Sequence, residues 1–499
     1  MKMDNATTAP APSEIELKFA VDPSDLPVFR NLPFLADVAA VQTSLSATYF
    51  DTDDHALYRA GYALRIRHSA EGTIQTLKGP RTGSAGLFTR SEAEWPVSGE
   101  SLDHGLLETA LPGDLLAITA GRLAPVFTID TERTEWRVEA SGGLVSVSLD
   151  QGTIDAGDRN EAVTEVEFEL QGGTIEAAFA LATAAARRVA LHLQPLAKSE
   201  RGYQLLGAAM PPDRQKAGTV DPPNITLAIR RMMAGLIEEI AIERPSVLAP
   251  GDAEAVHRLR VLLRRLRCLL DVAAETITTR SFVRPSRTIR RAFRRLGTVR
   301  DLDILNSAVP QNAEIADGAL VLIAAERQRV LAKARRTLSG RRFAATMLDL
   351  LAFAEIDAPA DELHSDGRAV IDEELPAALG RRWRRISRSR RPSQLPVKAR
   401  HQLRIEAKVF RYTTEFFGGF FPDDKAQKRR AKAEDAVRDM QTYLGRLNDR
   451  RNVERLARDH LGGAVTTALG LTASAPEPSE LRGADKAFKR LVGCKRYWT

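Results

Sequence analysis

Carboxylates and cations recur in this sequence at strand spacing. Glu14, Glu16 and Lys18 stand two residues apart, as do Arg65 and Arg67, Arg90, Glu92 and Glu94, and Glu165, Glu167 and Glu169. Residues i, i+2 and i+4 of a β-strand share a face, so each group presents charge from one side while Ile15, Leu17, Ile66, Val166 and Phe168 take the other. Carboxylates so dense repel one another unless a cation sits among them, and hard divalent ions take oxygen ligands of this kind. Lys18, Arg65, Arg67, Lys78, Arg90, Arg133 and Lys198 fall in predicted strands or just after one. Carboxylates holding Mg²⁺ or Mn²⁺ beside a ring of cations suit a polyphosphate chain, because both neutralise its oxygens and open a phosphorus to attack. Alternating charge is also how the solvated outer face of a half-buried strand reads, and the pattern alone leaves both readings open.

A second constellation has helical period. VHRLRVLLRRLR (256–267) matches RHQLRIEAKVFR (400–411), so that His257 corresponds to His401, Arg260 to Arg404, Arg264 to Lys408 and Arg267 to Arg411. On a helix each set of four occupies a stripe about 80° wide, with Leu259, Leu262, Leu263 and Leu266 on the opposite side. LGTVRDLD (296–303) and LGRLNDRR (444–451) repeat in the same order, which marks a duplication. Both copies keep four cations on one stripe with no acid among them, where a face shaped only for solubility would intersperse signs; a solvated helix face is the alternative. Arg287, Arg290, Arg291, Arg294 and Arg295 thicken the field. Neither histidine has an i+4 partner, so a phosphate contact or a structural hydrogen bond is expected of them, not metal binding. In the second copy Val409 and Phe410 replace Arg265 and Leu266, which removes one cation. The run RRWRRISRSRRPSQLP (381–396) carries seven Arg and two Pro and reads as a flexible arm or as a helix end followed by a loop.

The elements that must carry these residues change halfway along the chain. Strand-like alternation marks 14–20, 44–51, 62–68, 73–78, 87–95, 125–139, 143–150 and 162–170, with helical pattern only at 174–193 and weakly near 24–35 and 101–120. Downstream nearly everything has helical period. The 499 residues carry a net charge of +7. That total conceals 17 Lys/Arg against 29 Asp/Glu in residues 1–210 and 55 against 36 in 211–499, an acidic part and a strongly basic one. GAAMPPDRQKAGTVDPPN (207–224) reads as the linker between domains at 13–206 and 225–499. A basic helical domain should attract polyanions. Only Cys268 and Cys494 are present, too few for a disulfide framework, and neither a signal-peptide pattern nor an 18-residue apolar run is found. A cytoplasmic, non-membrane protein is expected.

The elements of the first part resemble the CYTH, or triphosphate tunnel metalloenzyme, pattern. They are ExExK at 14–18, YFDTDDHALYRAGYALRIR (49–67), TLKGP (76–80), RSEAE (90–94), Arg133, Asp150, EVEFE (165–169) and AKSERGY (197–203). The resemblance implies an eight-stranded antiparallel barrel whose tunnel binds a triphosphate and one or two divalent metals. It assigns Lys18, Arg65, Arg67, Lys78, Arg90, Arg133 and Lys198 to phosphate, and Glu14, Glu16, Asp150, Glu165, Glu167 and Glu169 to Mg²⁺ or Mn²⁺. Lys18, Glu14 and Glu16 are the catalytic candidates. From about 225 onward the repeated motifs resemble the CHAD domain, which implies two pseudo-symmetric helical bundles and a basic groove for inorganic polyphosphate built on His257, Arg260, Arg264, Arg267, His401, Arg404, Lys408 and Arg411.

The expectation is therefore a multidomain α+β protein, a β-barrel followed by an all-α duplicated bundle. It would split inorganic triphosphate into diphosphate and phosphate, bind polyphosphate, and associate with polyphosphate granules. Hydrolysis of thiamine triphosphate or another organic triphosphate, or cyclase chemistry on one, is the competing activity, and a non-catalytic polyanion scaffold the competing function. Nucleic acid is disfavoured because the stripes carry no interleaved aromatic residues and no reading motif is evident.

Overall fold

The computed structural model describes residues 13–83, 85–209, 225–249, 251–276, 283–310, 315–356, 373, 375–472 and 478–499. Most of the expected linker, 210–224, lies outside them. The chain divides into two compact units, with segments 237–242 and 344–352 grouped with the first.

The first unit is built on strands β1 (Ser13–Ala20), β2 (Ala40–Asp51), β3 (Ala63–Ser69), β4 (Gly72–Lys78), β5 (Leu87–Pro96), β6 (Ala124–Ala140), β7 (Gly143–Ala156), β8 (Arg159–Gly173) and the short β9 (His192–Leu193). They pair antiparallel in the order β5-β4-β3-β2-β6-β7-β8-β1, and β5 returns to β1, closing an eight-stranded barrel with no free edge. Two-residue hairpins set the register of the longest strands. Ala140 faces Gly143 across a turn containing Gly142, and Ala156 faces Arg159 across one containing Gly157; both turn glycines take positive φ, as such turns require. At Gly152 a side chain is impossible, because its Cβ would fall 1.8 Å from the Asp130 carbonyl oxygen of β6.

The apolar faces of the strands point outward and are covered by helices α1 (Leu26–Arg30), α2 (Ala56–Arg59), α3 (His104–Leu107), α4 (Gly113–Thr119) and α5 (Ile175–Ala186), whereas α6 (Lys198–Leu205) packs on the inner side, where Tyr203 meets Ala47, Tyr49, Phe127 and Ile129. Phe50, Leu64, Ile66 and Leu77 pack with residues of α2, α3 and α4, while α5 lies on β1, β6, β7 and β8, where Leu17, Val147, Leu149, Val166 and Phe168 are buried. The charged faces therefore line the lumen, which overturns the solvated-face reading. The helix expected over 174–193 ends at Ala186, and His192–Leu193 pairs instead with Phe19 and Ala20. β5 pairs with β1 only through Leu17, so the backbone groups beyond it need another partner, and β9 supplies it.

The second unit is helical among the described residues: α7 (Ile225–Leu248), α8 (Ala253–Thr276), α9 (Val283–Ala308), α10 (Ala316–Leu338), α11 (Arg341–Glu355), α12 (Leu375–Ser387), α13 (Val397–Phe417), α14 (Asp424–Leu461), α15 (Gly463–Ala468) and α16 (Pro478–Val492). Leu259, Leu263 and Leu266 of α8 and Leu403, Ala407 and Phe410 of α13 are buried, as the period requires; Leu262 is half-buried. The Arg-rich run resolves into the end of α12 and a short turn at Pro392–Gln394, where Asp485 accepts hydrogen bonds from the Ser393 backbone N–H (2.9 Å) and hydroxyl (2.6 Å).

Candidate active site

Inward positions of the barrel converge on a cavity of about 220 Å³. Its wall includes Glu14, Glu16 and Lys18 from β1, Arg65 and Arg67 from β3, Lys78 from β4, Arg90 from β5, Arg133 from β6, Asp150 from β7, Glu167 and Glu169 from β8, and Lys198 from α6. Lys198 opens a helix, not a strand: the chain after β9 turns inward and carries the ammonium group in on the first turn of α6. Glu165 does not line the cavity; Lys198 (2.9 Å) and Arg201 take its carboxylate behind the wall.

Strand register decides which charges meet. Lys18 faces Glu167 across β1 and β8 with Nζ 2.7 Å from Oε1, and Arg133 faces Asp150 across β6 and β7 with two contacts of 2.7 Å. Arg133 and Lys198 also reach Glu167, at 2.8 and 2.7 Å, and Lys198 reaches Asp150 at 2.8 Å. Glu14 is held by Lys78 at 3.0 Å and Arg90 at 3.4 Å. Against the cost of burial, Lys18, Lys198 and Arg133 hold the Glu167 carboxyl well below the usual range, Lys198 and Arg133 lower Asp150, and Lys78 and Arg90 lower Glu14. Glu16 and Glu167 in turn raise Lys18 despite its burial, and Asp150 and Glu165 raise Lys198.

Two carboxylates behave oppositely. Burial, reinforced by Glu14 and Glu16, pushes Glu169 up to about 7. Burial also raises Glu16, with Glu167 and Glu14 adding to the effect and Lys18 opposing it. Glu16 Oε1 is buried without a hydrogen bond, and Glu169 has neither a hydrogen bond nor an ion pair among the described residues. No group of three or more His, Cys, Asp or Glu stands around one position among those residues. The oxygens of Glu16 and Glu169, with Glu14 beside them, are of the type that suits a hard divalent ion, since a cation there would relieve a like-charge repulsion that Lys18, 3.1 Å from Glu16, and Arg90, at 3.8 Å, relieve only on the Glu16 side.

Five residues in or behind the wall received no role in the sequence reading. Glu92 and Glu94 line the cavity and pair with Lys78 (3.0 Å) and Arg67 (3.2 Å); their spacing from Arg90 already placed them on its face. Arg201 follows Lys198 by one helical turn. Tyr49 lines the wall, stacks on Phe127 with ring centres 4.7 Å apart, and has its hydroxyl lowered by Arg65 against burial. Tyr203 ties α6 to β2 by donating to buried Asp51 at 2.8 Å, which also accepts from the N–H groups of Leu57 and Tyr58.

In the helical unit α8 and α13 pack together and bring the two stripes face to face. Lys408 is pushed down to about 7 by burial, then by Arg264, Arg404 and Arg260. Arg260 falls to about 10 through burial and Arg264. Phe293 of α9 lies beneath Arg260, Arg267 and Arg264, at 4.5, 4.8 and 5.6 Å from its ring centre. An aromatic ring therefore does sit in the stripe, supplied by a neighbouring helix, though guanidinium groups cover it. Of the duplicated Leu-Gly pair only the first is crowded: a Cβ on Gly297 would stand 2.7 Å from Arg260 Nη1, whereas one on Gly445 would stand at an ordinary 4.0 Å from Arg404 Nε. Of the histidines, His401 Nδ1 lies 2.7 Å from Asn448 Oδ1, while burial and Arg300 lower His257. The copies differ at their ends, where Arg411 turns to Glu415 at 2.7 Å.

Comparison with known proteins matches residues 12–203 to the CYTH domain and residues 231–458 to the CHAD domain. The inorganic triphosphatase of Haemophilus influenzae is 32% identical over 200 residues, which are 39% of this chain and 55% of that protein, so the match spans about half of that relative's length. An uncharacterized protein of Mycobacterium tuberculosis is 25% identical over 488 residues, 91% of this chain and 89% of that one. Among solved structures, the CHAD domain from the plant Ricinus communis shares 25% identity over 53% of this chain and 92% of its own, with a TM-score of 0.41. A putative adenylyl cyclase from Hippeastrum, described as having a dominant triphosphatase activity, shares 19% over 40% of this chain and 98% of its own, with a TM-score of 0.31. With a charged barrel first and a duplicated helical unit after it, the chain is a CYTH domain followed by a CHAD domain.

Proposed function

We propose that the barrel is a divalent-metal-dependent triphosphatase that hydrolyses inorganic triphosphate to diphosphate and phosphate, and that the helical unit binds inorganic polyphosphate. One observation carries the first part: Lys18, Arg65, Arg67, Lys78, Arg90, Arg133 and Lys198 all line a single cavity that also holds carboxylates. A triphosphate is the small anion with enough charge to use them. The match to the Haemophilus influenzae inorganic triphosphatase supports the same reading. At about 220 Å³ the cavity is below the roughly 300–1,000 Å³ of ordinary organic-ligand pockets, which favours the bare triphosphate over thiamine triphosphate or ATP. The apolar wall of Leu45, Ala47, Ala63 and Ile129 beside Tyr49 is the feature an organic substituent would use.

In this reading Arg65, Arg67, Lys78, Arg90, Arg133 and Lys198 bind and align the phosphate oxygens. Lys18, held as a cation between Glu16 and Glu167, does the same and is unsuited to accept a proton. Glu16 and Glu169, with Glu14, would hold Mg²⁺ or Mn²⁺, which would supply positive charge to the phosphate oxygens and lower the pKa of water. Water attacks a terminal phosphorus, the P–O bond to the middle phosphate breaks, and diphosphate leaves with the bonding electron pair and takes up the proton that the attacking water loses. Asp150, Glu165 and Glu167, also metal candidates by sequence, are engaged by Arg133, Lys198, Lys18 and Arg201 and serve to fix those cations.

The paired stripes of α8 and α13 support polyphosphate binding, since like charges crowded to this degree are relieved by a linear polyanion. No helix among the described residues is long and apolar enough to cross a membrane, and the charge pattern fits cytoplasmic association with polyphosphate granules. Phosphate release from triphosphate, ATP, thiamine triphosphate and long-chain polyphosphate, with Mg²⁺, Mn²⁺ or EDTA, tests the assignment. Triphosphate should be split fastest and only with metal. Equal or higher kcat/KM on an organic triphosphate would replace the substrate, and no release from any of them would make the barrel a binding scaffold.

A further inference from the structure

The Arg-rich helix end that the paired stripes leave out lines a concavity of its own. Arg381, Arg384 and Arg385 of α12, with Arg388 one residue beyond its end, face Gln402, Leu403 and Glu406 of α13 around about 570 Å³. The four arginines span roughly 100° of their helix, and Gln402 and Glu406 lie about 160° around α13 from Arg404 and Lys408, so this cleft and the stripes occupy opposite sides of one helix. Its lone carboxylate, Glu406, is already engaged, by Arg385 at 3.6 Å and by the Gln402 side-chain amide at 2.8 Å. Arg381 is held by Glu275 at 2.8 Å. Arg384 and Arg388 have no acidic partner among the described residues and are exposed, and Leu403, which is buried, contributes to the lining between the helices.

We propose that this cleft is a second binding track for inorganic polyphosphate, separate from the paired stripes; the inference rests on the polyphosphate reading of the helical unit. Charge complementarity selects the occupant. Two unpaired guanidinium groups one helical turn apart, backed by two more, offer planar forks matched to phosphate oxygens and leave no free acid to repel them. The concavity is far larger than one phosphate and suits a chain of several. None of its lining residues is Phe, Tyr or Trp, so it offers no platform for stacking bases and favours polyphosphate over single-stranded RNA. Two tracks on opposite sides of α13 would let one long chain engage the unit twice, raising affinity through effective concentration.

The test uses the full-length chain and fluorescently labelled long-chain polyphosphate, with anisotropy read from 50 to 300 mM salt. Arg384→Gln/Arg388→Gln should bind about tenfold more weakly at low salt and show a salt slope shallower by about 1.4, the loss of two contacts at roughly 0.7 each. Arg260→Gln/Arg264→Gln/Arg404→Gln/Lys408→Gln should retain weaker, salt-sensitive binding, which adding the two cleft substitutions abolishes. Parental binding in the cleft variant at every salt, with the stripe variant impaired, would overturn this inference and leave the stripe reading standing. Absence of polyphosphate binding in the parent would overturn both. Competition by single-stranded RNA at equal affinity would make the cleft a nucleic-acid site instead. Thermal unfolding checks that each variant folds, which the exposure of Arg384 and Arg388 favours.

Discussion

Glu16 and Glu169 stand directly opposite each other across β1 and β8, two carboxylates in one register position with no cation between them. The charged register pairs on either side of it along β1 behave otherwise: Lys18 faces Glu167, and Glu14 faces Arg90; where Asp150 faces Glu165 across β7 and β8, Lys198 lies 2.8 and 2.9 Å from the two carboxylates. Directly opposed like charges destabilise a sheet, and here burial compounds the effect. Lys18 at 3.1 Å and Arg90 at 3.8 Å reach Glu16, but among the described residues no cation pairs with Glu169, so the barrel is short of positive charge on that side of the pair.

That relationship has a thermodynamic consequence. Glu169, raised to about 7 in the folded chain, favours folding while it is protonated, so its contribution is complete below about pH 4.5 and is lost as pH rises through about 7. In EDTA, Glu169→Gln should remove this decline and stabilise the protein at pH 8 by about 1–3 kcal/mol. The same substitution should weaken Mg²⁺ or Mn²⁺ binding at least tenfold, read by calorimetry. Greater instability of the variant in EDTA at pH 8 would show that the pair is not repulsive.

Glu167 and Glu14 should separate by their stability costs. Removing the Glu167 charge takes one carboxylate from three buried cations at once, leaving Glu16 to Lys18 and Asp150 to be shared by Arg133 and Lys198, so Glu167→Gln should cost about 3–5 kcal/mol in denaturant unfolding as well as abolish phosphate release. Lys78 keeps Glu92 at 3.0 Å when Glu14 is neutralised, so Glu14→Gln should lose activity at a cost of about 1–2 kcal/mol. Equal destabilisation would contradict the division of the carboxylates into two groups.

Polyphosphate binding should depend on pH near neutrality. Lys408, lowered to about 7, carries full charge only below that pH, and a bound polyanion favours its charged form. Affinity should therefore fall several-fold between pH 6 and 8.5 at constant salt. Lys408→Arg should flatten that profile while retaining binding; an unchanged profile would assign the titration elsewhere.

The two Leu-Gly motifs should respond unequally to the same change. A Cβ at Gly297 meets the tip of Arg260 at 2.7 Å and would displace it, whereas at Gly445 Arg404 stands 4.0 Å away. Gly297→Ala should weaken polyphosphate binding with the fold intact, since the displaced group is a flexible end. Gly445→Ala should bind normally and gain about 0.5–1 kcal/mol of helix stability. Identical binding by both variants would remove Arg260 from the groove.

Period-2 and period-3.6 patterns made the architecture legible. Alternation gave each strand a charged and an apolar face, the duplicated HxLR and Leu-Gly motifs announced the helical repeat, and local spacing put Glu14, Glu16 and Lys18 on one side and Arg260 and Arg264 on another. Which side faced inward was not legible. A sheet that turns its charge to solvent and one that closes around it have the same alternation, and closure depends on β5 meeting β1, where Glu14 and Arg90 stand 76 residues apart in sequence. Partnership was hidden for the same reason. That Lys18 opposes Glu167 while Glu16 opposes Glu169 follows from a register set by hairpins and strand pairing, and a shift of one residue would have turned each of these side chains to the other face. Phe293 beneath the arginines of α8, and Arg201 behind the wall holding Glu165, come from elements distant in sequence from what they touch. The sequence by itself determined which residues carry charge and on which face of its own element each lies; only the packing of distant elements decided which charges are neutralised and which pair is left wanting a cation, because electrostatic energy depends on separation in space and on burial.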